Sequence, residues 1–212
     1  MSDGEHAVHE RVLTAARQLF GDHGFGVEDA QIAAAAGVAP HEIGAAFGSR
    51  EALIEAVIAP LFAERWQACW SALLADRTRS LEDRLSALYI EYRGRVERTD
   101  ARLWFWAGLA GAHASGRISG TLVTHLIGPM IAELRHECGL PVFETVPLSA
   151  HERELAQALH GAIAFINTRR FVFGNATVPP LESLVPMIVR AFLPGMREEL
   201  LRLHAGRHVP VR

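Results

Sequence analysis

The segment "GVAPHEIGAAFGSREALI", from Gly37 to Ile54, decides the fold of the N-terminal part of this chain. Gly37 suits the left-handed conformation that ends a helix, and Pro40 suits the first position of the next one, where its missing N–H would be unpaired anyway. Ile43 and Phe47 are four residues apart and share one face of that second helix. The segment therefore predicts a tight turn between two short helices.

Two helices are predicted before this turn. The stretch "HERVLTAARQLFGDHGF" places apolar residues on one stripe at helical spacing, namely Val8, Val12, Ala15, Ala16, Leu19 and Phe20. A short helix then begins near Asp29, with Ile32, Ala33 and Ala36 on its inner face. Together with the helix after Gly37, these elements have the layout of a helix-turn-helix over about Glu28 to Phe47.

Helical periodicity continues to the end of the chain, and strand-like alternation is lacking. A fourth helix from Ser49 to about Ala75 should be kinked or split at Pro60, which removes one backbone hydrogen bond. Further helices are predicted at Leu81–Arg98, Ala101–Ala114, Ser119–Cys138, Ala150–Phe173 and Leu181–Leu203. We expect an all-α fold of about nine helices, with a three-helix head at residues 1–50 and a larger helical bundle at residues 51–212.

The composition favours a globular protein over a secreted or membrane-spanning one. Half of the 212 residues are hydrophobic, which predicts a substantial core. The N-terminus lacks the basic start and apolar run of a secretory signal, and apolar stretches are too short for a membrane span. Cys69 and Cys138 lack a metal-binding or disulfide pattern, so we expect core thiols in a reducing cytoplasm.

Charge is unevenly distributed. The net charge is −3, but residues 1–60 contain nine acidic residues and three arginines, whereas the remainder of the chain carries a net charge of +3. Affinity for DNA depends largely on cations that neutralise phosphates. Residues 1–60, with a net charge of −6, would therefore repel the DNA phosphates.

The N-terminal segment resembles the TetR family of bacterial transcription regulators over roughly residues 8–58. The residues that carry the resemblance are Ala15, Ala16, Leu19, Phe20, Gly24, Phe25, Ile32, Ala33, Ala36, Gly37, Val38, Ile43, Phe47, Ser49, Arg50, Glu51, Ala52 and Leu53. The resemblance implies a ligand-responsive regulator, a repressor by expectation, that works in the bacterial cytoplasm. It also implies a divergent helical domain that binds an effector, and we expect a homodimer through the last two helices.

The resemblance places the contacts with double-stranded operator DNA on the helix after Gly37. The expected contact residues are Ala39, Pro40, His41, Glu42, Gly44, Ala45 and Arg50. Glu42 could accept from cytosine, His41 could donate to guanine or a phosphate, and Ala45 could touch a thymine methyl group. Where the family usually has Ser or Thr, a basic residue and Tyr, this chain has Ala39, Pro40 and Gly44. Arg50 matches a basic phosphate contact of the family.

An effector pocket is expected in the larger domain, lined by aromatic and a few polar residues. The candidates are Trp66, Trp70, Trp104, Trp106, His113, His160, Phe165 and Asn167. The segment "RLWFWAGLAGAH" is apolar on nearly every side, which predicts a central buried helix. Ordinary core packing is the alternative for these side chains. The expected ligand is an apolar or aromatic small molecule, and no cofactor or metal is expected, since the spacing of His113, His125 and His160 is not diagnostic.

One other function stays open. The chain could keep the fold but have lost operator binding, and act as a small-molecule or lipid carrier or a protein-interaction module. Loss of binding would fit the acidic head and the small residues on the presumed reading helix. We do not expect an enzyme, because no pair of nucleophile and base and no metal signature is present.

Overall fold

The computed structural model describes residues 3–63, 67–111, 120 and 122–205, except for the side chains of residues 3, 62 and 63. The chain divides into two compact units. The N-terminal unit contains Met1–Arg65 and Glu97–Ser119, and the C-terminal unit contains Trp66–Val96 and Gly120–Arg212. Helices and their connections make up all described residues, with no strand among them. This architecture confirms the predicted all-α fold.

Six helices lie among the described residues of the N-terminal unit. They are α1 (Asp3–His23), α2 (Asp29–Ala36), α3 (Pro40–Phe47), α4 (Arg50–Ile58), α5 (Pro60–Ala63) and α8 (Arg98–Leu109). The apolar stripe of α1 is confirmed, because Val12, Ala16 and Phe20 are fully buried. They belong to a core that also holds Ile32 of α2 and Leu103 of α8.

Arginine side chains join α1 to α8. Arg17 forms ion pairs with Asp100 and, at 3.2 Å, with Glu97. Arg102 donates to the carbonyl oxygens of Gly21 at 2.6 Å and Asp22 at 2.9 Å, at the C-terminal end of α1. These carbonyls have no partner within the helix, so Arg102 supplies one.

The C-terminal unit contains α6 (Ala68–Ala75), α7 (Leu81–Gly94), α9 (Gly128–Glu137), α10 (Ala150–Phe171) and α11 (Leu181–Ala205), with a π-helical turn at Val123–Ile127. Ser80 and Ser149 cap α7 and α10 by accepting from backbone N–H groups three residues on. Gly128 follows the π-helical turn, and a Cβ there would lie 2.9 Å from the carbonyl oxygen of Val123. Glycine is therefore required where this turn joins α9.

Two buried ionic clusters among the described residues link elements of the C-terminal unit. Arg135 forms two hydrogen bonds with Glu152, at 2.7 and 2.8 Å, and donates to three carbonyl oxygens of the loop before α10. His204, near the end of α11, lies 3.1 Å from Glu152. In the second cluster, Glu133 accepts from Arg84 at 2.7 Å and from Arg77 at 2.9 Å. Both carboxylates are thus neutralised where they are desolvated.

The structure confirms the break at Pro60 and corrects two other expectations. The segment from Ser49 to Ala75, predicted to be kinked or split at Pro60, divides into α4, which ends at Ile58, α5, which begins at Pro60, and α6, which begins at Ala68. Cys69 is exposed and Cys138 is half-buried, so neither is a core thiol. The segment predicted to be buried on all sides buries only one face of α8, because Trp104 and Leu109 are 50% and 77% exposed. None of the described helices has the length and apolar character that a membrane span needs.

Candidate nucleic-acid interface

The helix-turn-helix is formed by α2, a tight turn at Gly37, and α3. Gly37 has φ 65°, a left-handed conformation that costs other residues about 1 kcal/mol or more. The N–H of Val38 then donates to the carbonyl oxygen of Ala33 at 3.0 Å, which closes the end of α2. Ser49 caps α4 by accepting from the N–H of Ala52 at 3.1 Å. The predicted turn and the predicted start of a helix at Ser49 are both confirmed.

The outward face of α3 carries small side chains. Ile43 is buried, whereas Pro40, His41, Gly44 and Ala45 are exposed. Apart from the adjacent backbone of α3 itself, no heavy atom of the described residues lies within 4 Å of the position that a Cβ of Gly44 would take. This face is therefore smooth, and among the described residues of α3 His41 is the one exposed side chain with hydrogen-bonding nitrogen atoms.

Glu42 has a local structural role. Its carboxylate accepts from the backbone N–H of Ala39 at 2.7 Å, at the N-terminal end of α3. Ala39 itself offers no side-chain oxygen for a cap, so Glu42 satisfies a donor that would otherwise be unpaired. One carboxylate oxygen of Glu42, the residue predicted to contact cytosine, is thus already hydrogen-bonded within the head.

Arg50 is likewise engaged inside the head. Its guanidinium pairs with Asp29, donates to the carbonyl oxygens of Phe25, at 3.0 Å, and Val27, and lies 4.8 Å from the ring centroid of Phe20. The side chain is 25% exposed. Arg50 therefore ties the start of α4 to the loop before α2, a role that local sequence does not reveal.

Arg11 was missed by sequence reasoning. It lies on α1, is exposed, and donates to the carbonyl oxygen of Gly37 at 3.3 Å. The contact joins residues 26 positions apart, so no local pattern encodes it. The sequence offers no signal that singles it out, because Arg17 and Arg50 also lack an acidic residue three or four positions away.

The predicted pocket residues are distributed over both compact units. Trp104 and Trp106 lie on α8 in the N-terminal unit, where an added Cβ at Gly24 would come within 3.1 Å of the Trp106 ring. Trp70, His160, Phe165 and Asn167 lie in the C-terminal unit. Trp66 and His113 fall outside the described residues.

In the C-terminal unit, Trp70 and His160 belong to one aromatic cluster. The Tyr92 ring lies 5.3 Å from that of Trp70 and 6.3 Å from that of His160, measured between centroids. The hydroxyl of Tyr89 lies 3.4 Å from His160 Nδ1. Burial, with the neighbouring charge of Arg93, lowers the pKa of His160 to about 4. Its imidazole is therefore neutral at physiological pH.

The other two predicted residues of this unit have different surroundings. Asn167 is buried and donates to the carbonyl oxygen of Arg93 at 2.8 Å. Phe165 is 48% exposed and packs edge-on against Phe173, with their centroids 6.0 Å apart. Asn167 thus has a structural partner, and Phe165 lies at the surface.

An open cavity of about 580 Å³ lies between α6 and α9. Its lining consists of Ser71, Leu74, Ala75, Val123, Thr124, Gly128, Pro129, Ala132, Glu133 and Phe143. None of these was predicted as a pocket residue, although Leu74 is one helical turn from Trp70. The described residues contain no group of three or more His, Cys, Asp and Glu side chains placed to hold a metal ion.

Comparison with known proteins connects this geometry to a family. The model of bacterial regulatory proteins of the tetR family matches residues 12–57. A comparison with curated protein sequences found no match.

Solved structures resemble the chain over most of its length. A TetR-like transcriptional regulator from Rhodococcus sp. RHA1 has 20% identity and a TM-score of 0.57, with 89% of this chain and 96% of that chain covered. The fatty acid degradation regulator FadR from Bacillus halodurans has 17% identity and a TM-score of 0.55, with coverage of 88% and 98%. The multidrug binding protein EbrR, solved with imidazole, has 19% identity and a TM-score of 0.51, with coverage of 87% and 93%. At these identities the similarity establishes the fold.

Proposed function

We propose that this chain, which belongs to the TetR family of bacterial regulatory proteins, represses transcription by binding double-stranded operator DNA in the bacterial cytoplasm. The observation that carries the proposal is the helix-turn-helix of α2 and α3, which lies inside the matched residues 12–57. In this motif the second helix enters the major groove and its N-terminal residues meet the base edges. Residues 1–50 form the proposed DNA-binding domain, and residues 51–212 form the effector-binding and dimerisation domain.

Base reading on α3 rests on few side chains. Among its described residues, His41 can donate to a guanine or a phosphate, and Ala45 can contact a thymine methyl group. Ala39, Pro40 and Gly44 have no side-chain donor or acceptor and would act through shape. A helix face this smooth lets the backbone come close to the groove, since no long side chain stands in between.

A homodimer through α10 and α11 is the proposed assembly. Large apolar side chains are exposed on or next to these helices: Phe165, Phe173, Met187 and Leu201 are 48%, 65%, 54% and 48% exposed. Exposed apolar surface of this kind is typical of an interface. Two heads on one dimer would engage two half-sites. Met187→Arg should therefore shift the protein toward monomer in light scattering after gel filtration.

The proposed effector is an apolar or aromatic small molecule, neutral or with one polar end. The cavity between α6 and α9 supports this chemistry, because apolar residues such as Leu74, Val123 and Phe143 line it beside the hydroxyls of Ser71 and Thr124. Outside the lining of this cavity, neutral His160, whose ring lies 6.3 Å from that of Tyr92, offers a further hydrogen-bonding group without a charge. An effector that binds one arrangement of the dimer more tightly would shift the population away from the DNA-binding arrangement.

The experiment that tests operator binding is fluorescence anisotropy of the full chain with labelled duplexes that tile the DNA upstream of its own gene. We expect one duplex to bind more tightly than an unrelated duplex of equal length, with an affinity that falls as salt rises. Equal binding to all duplexes at low salt would support the alternative in which operator binding has been lost.

A matched pair of variants locates the interface. Gly44→Glu places an acidic side chain on the exposed face of α3, where open space surrounds the missing Cβ, so the fold should tolerate it. Gly94→Glu makes the same change at an equally open, exposed position of α7. We expect the first variant to lose operator binding and the second to keep it, with both retaining the melting temperature of the native chain. Equal binding by both variants would place the interface elsewhere.

The cavity can be tested separately. Ala132→Phe should fill the space between α6 and α9 while leaving operator affinity unchanged. The neutral dye Nile red serves as the probe, and we expect its fluorescence to rise with the native chain and to stay low with the variant. An unchanged signal with Ala132→Phe would move the effector site out of this cavity.

A further inference from the structure

The arginines of the N-terminal unit differ in how much of each guanidinium is left for a ligand. Arg17 is paired with Asp100 and Glu97, and Arg50 is paired with Asp29 and with two carbonyl oxygens. Arg102 donates to the carbonyl oxygens of Gly21 and Asp22 at the end of α1. Arg11 forms no ion pair among the described residues, and its one hydrogen bond is to a carbonyl oxygen. Most of its five N–H donors thus stay available to an anion.

The position of Arg11 is fixed at the helix-turn-helix. The carbonyl oxygen of Gly37 accepts from its Nη1 at 3.3 Å, which places the exposed guanidinium over the turn. Gly37 precedes Ala39, the residue before α3, by two positions, so they are separated by no more than about 7 Å along the chain. A cation held there lies beside the helix end that approaches DNA in this motif.

We infer that Arg11 is a phosphate anchor of the proposed DNA interface, contacting one backbone phosphate on each half-site. This inference rests on the proposed function and names a residue just outside the matched residues 12–57. The hydrogen bond to Gly37 orients the guanidinium before DNA arrives, which lowers the entropy lost when a long side chain is immobilised. Its planar fork suits two phosphate oxygens at once.

The contact predicts a specific salt dependence. Each phosphate neutralised by a cation releases counterions and contributes about −0.9 to the slope of log affinity against log salt concentration. Loss of Arg11 should therefore make the slope less negative by about 0.9 for each head. A phosphate contact carries no sequence information, so operator and unrelated DNA should weaken together.

Three variants separate charge from hydrogen bonding. Arg11→Gln removes the charge and keeps an amide donor, whereas Arg11→Lys keeps the charge and removes the planar fork. Arg98→Gln is the matched control, because Arg98 is an exposed arginine of the same unit for which no contact with the turn exists among the described residues. Anisotropy titrations of the full chain with the upstream duplex and an unrelated duplex, over a salt series, give the slopes. Melting temperatures report on the fold.

The expected result is a reduced slope for Arg11→Gln on both duplexes, and slopes near the native value for Arg11→Lys and Arg98→Gln. A native slope in Arg11→Gln would overturn the inference while leaving operator binding in place. Equal loss of binding in Arg11→Gln and Arg11→Lys, with lowered melting temperatures, would make Arg11 a positioning residue of the turn and overturn it as well. If the native chain binds no duplex specifically, the proposed operator binding is refuted, and the role of Arg11 as a phosphate anchor is refuted with it.

Discussion

Glu152→Gln is the perturbation whose magnitude can be worked out most fully from the structure. Burial alone would raise the pKa of Glu152, but hydrogen bonds from Ser149, His204 and Arg135 lower it to about 2, from an ordinary value of 4.5. A shift of this size corresponds to about 3 kcal/mol of native-state stabilisation of the charged form. Removing one partner of a buried ion pair costs about 3 to 5 kcal/mol, because the other charge stays buried. We therefore expect Glu152→Gln to lower the free energy of unfolding by about 3 kcal/mol.

Urea unfolding of the full chain at neutral pH, followed by far-UV circular dichroism at one protein concentration, measures this loss. Glu154→Gln is the control, because Glu154 is exposed two residues away on α10. Its free energy of unfolding should stay within about 0.5 kcal/mol of the native value. A loss below about 1 kcal/mol in Glu152→Gln would refute the reasoning.

The pH dependence gives a second measurement with a definite sign. The pKa of Glu152 is depressed in the folded chain, so its stabilisation is present above about pH 4.5 and disappears as the pH falls toward about 2. The stability difference between the native chain and Glu152→Gln should therefore shrink over this range. Other carboxylates titrate in both proteins and cancel in the difference. A difference independent of pH would contradict the assignment.

Three further predictions concern the head and the second ionic cluster. Arg50→Ala should lower the melting temperature and reduce the free energy of unfolding by about 2 kcal/mol, because it removes the ion pair with Asp29 and the donors to two loop carbonyl oxygens. An unchanged melting temperature would indicate that the Arg50 guanidinium is available to DNA. Gly37→Ala should cost about 1 to 2 kcal/mol in urea unfolding, since its φ of 65° disfavours a Cβ; Gly94→Ala is the neutral comparison. Burial alone would raise the pKa of Glu133, but hydrogen bonds from Arg77 and Arg84 lower it below its ordinary value, so Glu133→Gln should lose stability at neutral pH and converge with the native chain in acid.

The helix-turn-helix could be predicted because its determinants are local. Gly37 occupies a left-handed turn, Pro40 begins α3, and Ser49 caps α4. Each of these acts over a few residues, so the residue type and its position are sufficient. The apolar spacing of Ile43 and Phe47 then selects the buried face.

Side-chain roles at the interface could not be predicted in the same way. Arg50 reaches back 25 positions to the carbonyl of Phe25, and Arg11 reaches forward 26 positions to that of Gly37. Both residues are arginines in a short head, and sequence alone gave no basis for choosing the one that is internally engaged. Trp104 shows the same limit, because the apolar sequence around it does not indicate which face of the helix packs against the core.

The salt slope of the native chain should itself be unusually shallow. Proteins that make about 6 to 10 phosphate contacts lose about 10³ to 10⁵ in affinity between about 50 and 200 mM salt. Among the described residues of the head, Arg50 is paired with Asp29, which leaves Arg11 on α1 as the main cation near α3. Two heads then give a slope near −2, or about a tenfold loss of affinity over the same range. Backbone N–H groups and the small face of α3 release no counterions, so they add affinity without steepening the slope. A measured slope as steep as −6 would show that other cations reach the DNA and would refute this account of the head.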